Sequence, residues 1–208
     1  MENKKKSTLV KDAVILFAIT LIAGGALGFF SELTKEPIEA ANQKAKLEAY
    51  QSVYTEASDF VADDAISGKV DKADEFLADN NLTGACITEV LVANDKDGNA
   101  VGYVVSFTAK EGYGGDIKLS MGMTNEGAIT GLEVLSCSET AGLGANCQKP
   151  EFKGQFKDIN ADSIEYTKDG ATADNQIDAI SGATITTKAV TKGVNAAIAF
   201  LKQDVMQG

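Results

Sequence analysis

Histidine, tryptophan and arginine are all absent from this 208-residue chain, and proline occurs only at positions 37 and 150. Without histidine there is no Ser–His–Asp triad and no His-ligated zinc. Without arginine no planar guanidinium fork can grip a phosphate or carboxylate. Lysine is the only basic side chain, and it is outnumbered: the formal net charge is −11. That balance argues against binding nucleic acid through its phosphates. Cys86, Cys137 and Cys147 lack C-x-x-C spacing and have no histidine beside them, which makes a poor metal set. No general acid–base pair or activated nucleophile stands out, so no catalytic residue is assigned.

What is present suits one domain plus an appendage. A hydrophobic fraction of 44% and a charged fraction of 24% are those of a globular core. Basic charge is concentrated at the front. Lys4, Lys5, Lys6 and Lys11 face only Glu2 and Asp12, leaving 15 lysines against 28 carboxylates in the remainder. Residues Ala13 to Phe30 carry no charge at all. About 18 residues in a helix rise roughly 27 Å, near the thickness of a bilayer's hydrocarbon core. We therefore expect a basic cytoplasmic N-terminus over 1–12, a transmembrane helix over 13–34, and the rest outside the cytoplasm, in the plasma or inner membrane. A cleaved signal peptide is the competing reading, but no clear Ala-x-Ala site precedes an obvious mature start. Gly24, Gly25 and Gly28 could admit a neighbouring membrane helix.

Residues 35–84 read as a connector. The stripe Ile38, Ala41, Ala45, Tyr50, Val53, Tyr54 predicts a helix from about Pro37 to Ala57. An acidic surface segment follows, with one short helix near Lys72–Ala78. Four strands are expected next, over 85–93, 100–108, 116–123 and 128–135, as an antiparallel meander. The stretch Asn94-Asp-Lys-Asp-Gly-Asn99 is a hairpin turn.

Near the C-terminus, Asp178-Ala-Ile-Ser181-Gly182-Ala183-Thr184-Ile-Thr-Thr187 precedes an apolar run at helical spacing: Val190, Val194, Ala197, Ile198, Leu201 and Val205. The hydroxyls cluster at a helix N-terminus, which has unpaired N–H groups and partial positive charge suited to a phosphate. Gly182 and Ala183 remove bulk, so a large ligand can approach the backbone. The plain alternative is capping of the helix by Thr186 or Thr187.

Asp-x-x-Ser-Gly-Ala-Thr resembles the flavinylation motif of the FMN-binding domain family. Two further elements resemble the G subunits of Rnf electron-transport complexes in that family: Gly112-Tyr-Gly-Gly115, and Glu139-Thr-Ala-Gly-Leu-Gly144, where Ala141 replaces the usual proline. Lys149-Pro-Glu-Phe-Lys-Gly-Gln-Phe156 continues the likeness. The resemblance implies an α+β fold: one N-terminal transmembrane helix, then an FMN-binding domain over 85–208 with an antiparallel sheet flanked by helices. It implies FMN joined through a phosphoester to Thr184 by a flavin transferase. Asp178, Ser181, Gly182 and Ala183 complete the attachment motif. Glu139 and Thr140 are expected to bond the flavin or its ribityl chain, with Leu143 and Tyr113 covering the ring. The role implied is electron relay, with other membrane and redox subunits as partners, in a complex that oxidises reduced ferredoxin, reduces NAD+ and moves Na+ or H+. No independent turnover is expected of this chain.

Three alternatives stand beside that reading. They are a component like the C subunits of Na+-translocating NADH:quinone oxidoreductases, a stand-alone extracytoplasmic flavin reductase, and a membrane-tethered binding module without flavin. Cys137 and Cys147 flank the Glu139–Gly144 loop and could pair across it, but free thiols are favoured. Cys86 is expected as a small core residue.

Overall fold

A computed structural model describes residues 2–207, which divide into two compact units, Met1–Ala45 and Lys46–Gly208. The first unit consists of most of helix α1, Glu2–Val53. Within it Lys11–Lys35 is long and apolar enough to cross a bilayer, with a mean hydropathy of 2.4. Its large apolar side chains, from Val14 to Leu33, are exposed. Water gives such a surface no partner, whereas lipid tails do. The expected connector helix is therefore not separate. α1 passes through Pro37 and ends at Val53, short of Ala57.

The second unit is built on a five-stranded antiparallel sheet in sequence order: β1 Asp59–Val61, β2 Ala85–Asn94, β3 Ala100–Ala109, β4 Ile117–Thr124 and β5 Ile129–Ser136. The four expected strands are present within a residue or so of their predicted ends. The β2–β3 turn is held by Asp95, whose Oδ1 accepts from the N–H groups of Asp97 and Asn99, both at 2.8 Å. Several elements go beyond the sequence expectation. β1 adds an edge beside β2. Helix α2, Asp64–Val70, is capped by Asp63 and precedes α3, Ala73–Asp79, the short helix that the sequence predicts. A parallel pair, β6 Glu165–Thr167 and β7 Gln176–Asp178, closes the segment before the last helix. β1, β6 and β7 have three residues each, too short for an alternating pattern to register.

One face of the sheet carries the main core. Helix α5, Thr184–Ala199, lies on β3 with Val190, Val194 and Ile198 buried, as its apolar spacing predicts. Gly193 allows the close approach: a Cβ there would stand 2.9 Å from the Phe107 ring. Short helix α4, Pro150–Lys153, brings Phe152 against Phe156 edge to face, with centroids 5.5 Å apart.

The other face receives the C-terminal end of α1. Tyr50, Val53 and Tyr54 are buried against Ala93 and Val104 in a second apolar cluster. The expected apolar stripe does pack on the domain body over these residues. The polar ends are satisfied as well. Tyr54 Oη donates to the Val101 carbonyl at 2.6 Å, and the Tyr50 hydroxyl bonds Glu89 and, at 3.0 Å, Ser106. Lys46 pairs with Glu89 at 2.7 Å. Thr130 Oγ1 donates to the Val53 carbonyl, one of the orphan groups at the helix end.

The fit depends on Gly122, which opposes Gly131 across the β4–β5 pair. A Cβ on Gly122 would lie 2.6 Å from the Val53 carbonyl oxygen and would also strike Thr130 Oγ1. Gly122→Ala should therefore lower stability by about 1–3 kcal/mol. Urea unfolding of the full chain in detergent measures this; an unchanged midpoint would mean that the helix end does not rest on this row.

Candidate flavin site

α5 begins at Thr184, three or four residues earlier than the expected Thr186 or Thr187 caps would place it. Its N-cap is Ala183, whose methyl group accepts no hydrogen bond, and no side chain caps the helix from that position. The hydroxyls are used otherwise. Thr187 Oγ1 accepts from the Ile180 N–H and donates to the Ala183 carbonyl, both at 3.0 Å. Thr187 thus locks the turn that precedes the helix, and it is fully buried. Thr186, also buried, donates its hydroxyl to Glu139 Oε2 at 2.9 Å. Thr184 is different: it is half-buried and sits in the first turn of the helix. It is the first residue of a sixteen-residue helix, at the positive end of its dipole.

Gly182 shapes the turn that leads into the helix. Its φ of +74° is a left-handed turn that other residues adopt at a cost. A Cβ there would press against Leu143 Cδ2 at 3.1 Å, so the Ser181–Thr184 turn and the Leu143 loop are neighbours.

Glu139 joins the remaining pieces. It is 9% exposed, the only acidic side chain among the described buried residues. Oε1 accepts from the Gly114 N–H at 3.1 Å, and Oε2 from Thr186. One carboxylate thus ties the Gly112–Gly115 loop to the first turn of α5. The backbone of its own loop packs just as closely. A Cβ on Gly144 would stand 2.5 Å from Thr186 Oγ1 and would collide with Glu139 Oε2. A second tie runs at the surface, where Lys192 donates to Glu111 at 2.6 Å. That hydrogen bond holds the Glu111 carboxyl below its ordinary range. A carboxyl depressed on folding contributes above its unfolded pKa and loses the contribution as pH falls through the folded value. Glu111 is fully exposed, so this tie is a weak one.

Around this frame the apolar side chains turn outward. Tyr113 is 71% exposed, Leu143 45% and Ile185 54%. Each belongs to a different one of the three motif segments. Thr140 and Ser181 are exposed too, and Ala183 is buried. Asp178 is not turned toward the helix end by any bond in the structure. Its Oδ1 accepts from the Ala171 N–H at 2.6 Å, and its own N–H donates to Gln155 at 2.7 Å. Asp178 thereby fastens the 168–178 segment to itself and to Gln155, which follows α4. Cys86 is half-buried in β2 rather than in the core, and all three cysteines are free thiols.

The arrangement fits FMN by its donor chemistry. A half-buried hydroxyl lies at a helix N-terminus that lacks a side-chain cap, and exposed apolar surface for a flat ring is contributed by the adjoining loops. Sequence reasoning missed Thr186 as a partner of Glu139. The signal was present, since a buried carboxylate needs donors and Thr186 lies two residues past the motif's last threonine. It also missed Lys188, an exposed cation one turn after Thr184 on the same helix face.

Glu139→Ala should cost about 2–3 kcal/mol, because the Gly114 N–H and the Thr186 hydroxyl both lose a charged acceptor. Glu139→Gln keeps an amide oxygen for Gly114 and an amide N–H for the Thr186 oxygen, and should retain most of the stability. Chemical unfolding of the two variants checks this; equal losses would show that the two hydrogen bonds contribute nothing beyond the charge.

The family model of the FMN-binding domain matches residues 112–199, which contain all three motif segments. The chain is 41% identical over 138 residues to the G subunit of a proton-translocating ferredoxin:NAD+ oxidoreductase complex of Clostridium ljungdahlii, covering 66% of this chain and 70% of that one. It is 33% identical to the G subunit of the Na+-translocating complex of Acetobacterium woodii, over 95% of this chain and 96% of the other. Among solved structures it is similar to the C subunit of a Na+-translocating NADH-quinone reductase from Parabacteroides distasonis, with 28% identity and a TM-score of 0.46 over 54% of this chain and 60% of that one. On the full-length similarity, the chain belongs to the G subunits of ion-translocating ferredoxin:NAD+ oxidoreductase complexes and carries an FMN-binding domain.

Proposed function

We propose that this chain is a membrane-anchored, covalent flavoprotein that relays electrons within a ferredoxin:NAD+ oxidoreductase complex. The observation that carries the attachment site is the difference between neighbouring threonines. Thr186 and Thr187 are buried and hydrogen-bonded, whereas Thr184 is accessible in the first turn of α5. FMN, when bound, supplies the one- and two-electron chemistry. Thr184 Oγ1 would hold its phosphate as a phosphoester, placed there by a flavin transferase. The N-terminal N–H groups of α5 would stabilise the remaining phosphate charge. Tyr113, Leu143 and Ile185 would lie against the ring and keep water from part of it. Glu139 fixes these parts relative to one another, and Thr140 offers a hydroxyl to the polar chain.

Lys11–Lys35 would anchor the chain as a single span, with the lysine-rich N-terminus cytoplasmic and residues 46–208 outside. A covalent link suits a cofactor held where it could not be replaced after loss. The span contains no ionisable residue between Asp12 and Glu32, so the ion path belongs to other subunits. No group here acts as general acid, base or nucleophile on a substrate, and turnover requires those partners.

Thr184→Ala should abolish the in-gel flavin fluorescence of the denatured chain co-produced with its transferase. Thr184→Ser should keep it, since only the hydroxyl is required. Fluorescence retained in Thr184→Ala would move the linkage elsewhere and overturn the assignment. Absence of covalent flavin in the unmodified chain, with the transferase active on a control protein, would favour the tethered binding module. Orientation is checked separately. Protease added to sealed right-side-out vesicles should remove the 46–208 unit, and full protection would reverse the topology.

A further inference from the structure

Cys137 and Cys147 lie together at the base of the loop that carries Glu139. Their sulfurs are 3.6 Å apart, in van der Waals contact, with no bond between them. Cys137 follows the last residue of β5, and Cys147 sits in the short 3-10 helix Gly144–Gln148. The intervening residues, Ser138 to Asn146, hold their shape without a cross-link. The Ala145 N–H donates to the Thr140 carbonyl at 3.1 Å, and Asn146 Nδ2 to the Gly142 carbonyl at 3.0 Å. The loop ends are thus already adjacent. A disulfide needs its sulfurs at about 2 Å, so an approach of roughly 1.5 Å suffices. Cys86 has no such neighbour: its thiol faces the Ile87 carbonyl at 3.7 Å.

We infer that Cys137 and Cys147 form a thiol–disulfide site, oxidised by a small-molecule disulfide, that staples the two ends of the Ser138–Asn146 loop. The chemistry proceeds by two exchanges. Cys137, half-buried, loses its proton to solvent and attacks one sulfur of the incoming disulfide. That S–S bond breaks, a mixed disulfide forms, and one small thiol leaves. Cys147 then loses its proton, attacks Cys137 Sγ and releases the second small thiol. Two protein S–H bonds and one external S–S bond are lost, while one protein S–S bond and two external S–H bonds are formed. The two electrons given up by the protein reduce the external disulfide. The order of attack follows from exposure. Cys147 is fully buried, and burial, followed by the hydrogen bond with Cys137, pushes its thiol up to about 12. Cys137 is therefore the entry sulfur and Cys147 the resolving one.

The consequence falls on the candidate site, because the stapled loop presents Leu143 and Thr140 and carries Glu139. The inference itself stands on the sulfur geometry and does not require bound flavin.

The test uses the full chain in detergent, reduced, freed of reductant and then exposed to oxidised glutathione. It is denatured, alkylated and mapped by mass spectrometry. Residues 119–148 contain no lysine, and Pro150 blocks tryptic cleavage after Lys149, so both sulfurs fall on the 119–153 peptide. The reduced chain should carry three alkyl groups, one per cysteine. The oxidised chain should carry one, on Cys86, with the 119–153 peptide lighter by two hydrogens than its unalkylated reduced form and free of glutathione. Cys147→Ser should stop at the first exchange and keep glutathione on Cys137. Three alkyl groups after oxidation, glutathione retained on Cys137 of the unmodified chain, or a cross-link between two chains would each overturn the inference. These readouts involve no flavin, so they stand apart from the fate of Thr184→Ala.

Discussion

A single buried carboxylate organises the site. Glu139 is buried with both of its oxygens paired, one with a backbone N–H of the glycine-rich loop and one with a hydroxyl of α5. A buried carboxylate without donors would be expelled or protonated. The requirement works in both directions, because Gly114 and Thr186 must be where they are for Glu139 to stay inside. Three segments that are far apart in sequence are thereby tied to one another, and each of them carries an exposed apolar side chain, Tyr113, Leu143 and Ile185. Glycine at 144 follows from the same packing, since any side chain there would push Glu139 off Thr186.

The sheet supplies the rigid base on which this happens. β3 is buried on both faces over most of its length, with α5 on one side and the last turns of α1 on the other. Each face is fitted by a glycine: Gly193 lets α5 down onto Phe107, and Gly122 admits the Val53 carbonyl. The N-terminus of α5 is positioned by the body of the helix. Burial of Val190, Val194 and Ile198 holds the axis, and Thr187 locks the preceding turn, so Thr184 needs no cap of its own. A helix end left without a side-chain cap is costly when buried and useful when it faces a phosphate.

Much of this is legible in the residues alone. The four long strands are rich in β-branched and apolar residues, and α5 carries a clear helical period. The motif segments resemble the FMN-binding domain family, and the family model covers all three of them. What is not legible has physical reasons. β1, β6 and β7 have three residues each, fewer than one alternation can define. The start of α5 is obscured because Thr186 and Thr187 look like caps, yet Thr186 is committed to Glu139 and Thr187 to the Ile180–Ala183 turn before it. Glu139 is expected from the sequence as a ligand contact, and its protein partners, 25 and 47 residues away, could not be read there. Asp178, read only as part of a motif, proves to fasten a loop. Distances of that kind have no local signature.

The most direct measurement is an experimental structure of the full chain loaded with FMN. The account predicts continuous density from Thr184 Oγ1 to the flavin phosphate, a ring against Tyr113 and Leu143, and Glu139 still paired with Gly114 and Thr186. A flavin seated elsewhere, or a Glu139 carboxylate released from both partners to meet the cofactor, would contradict it.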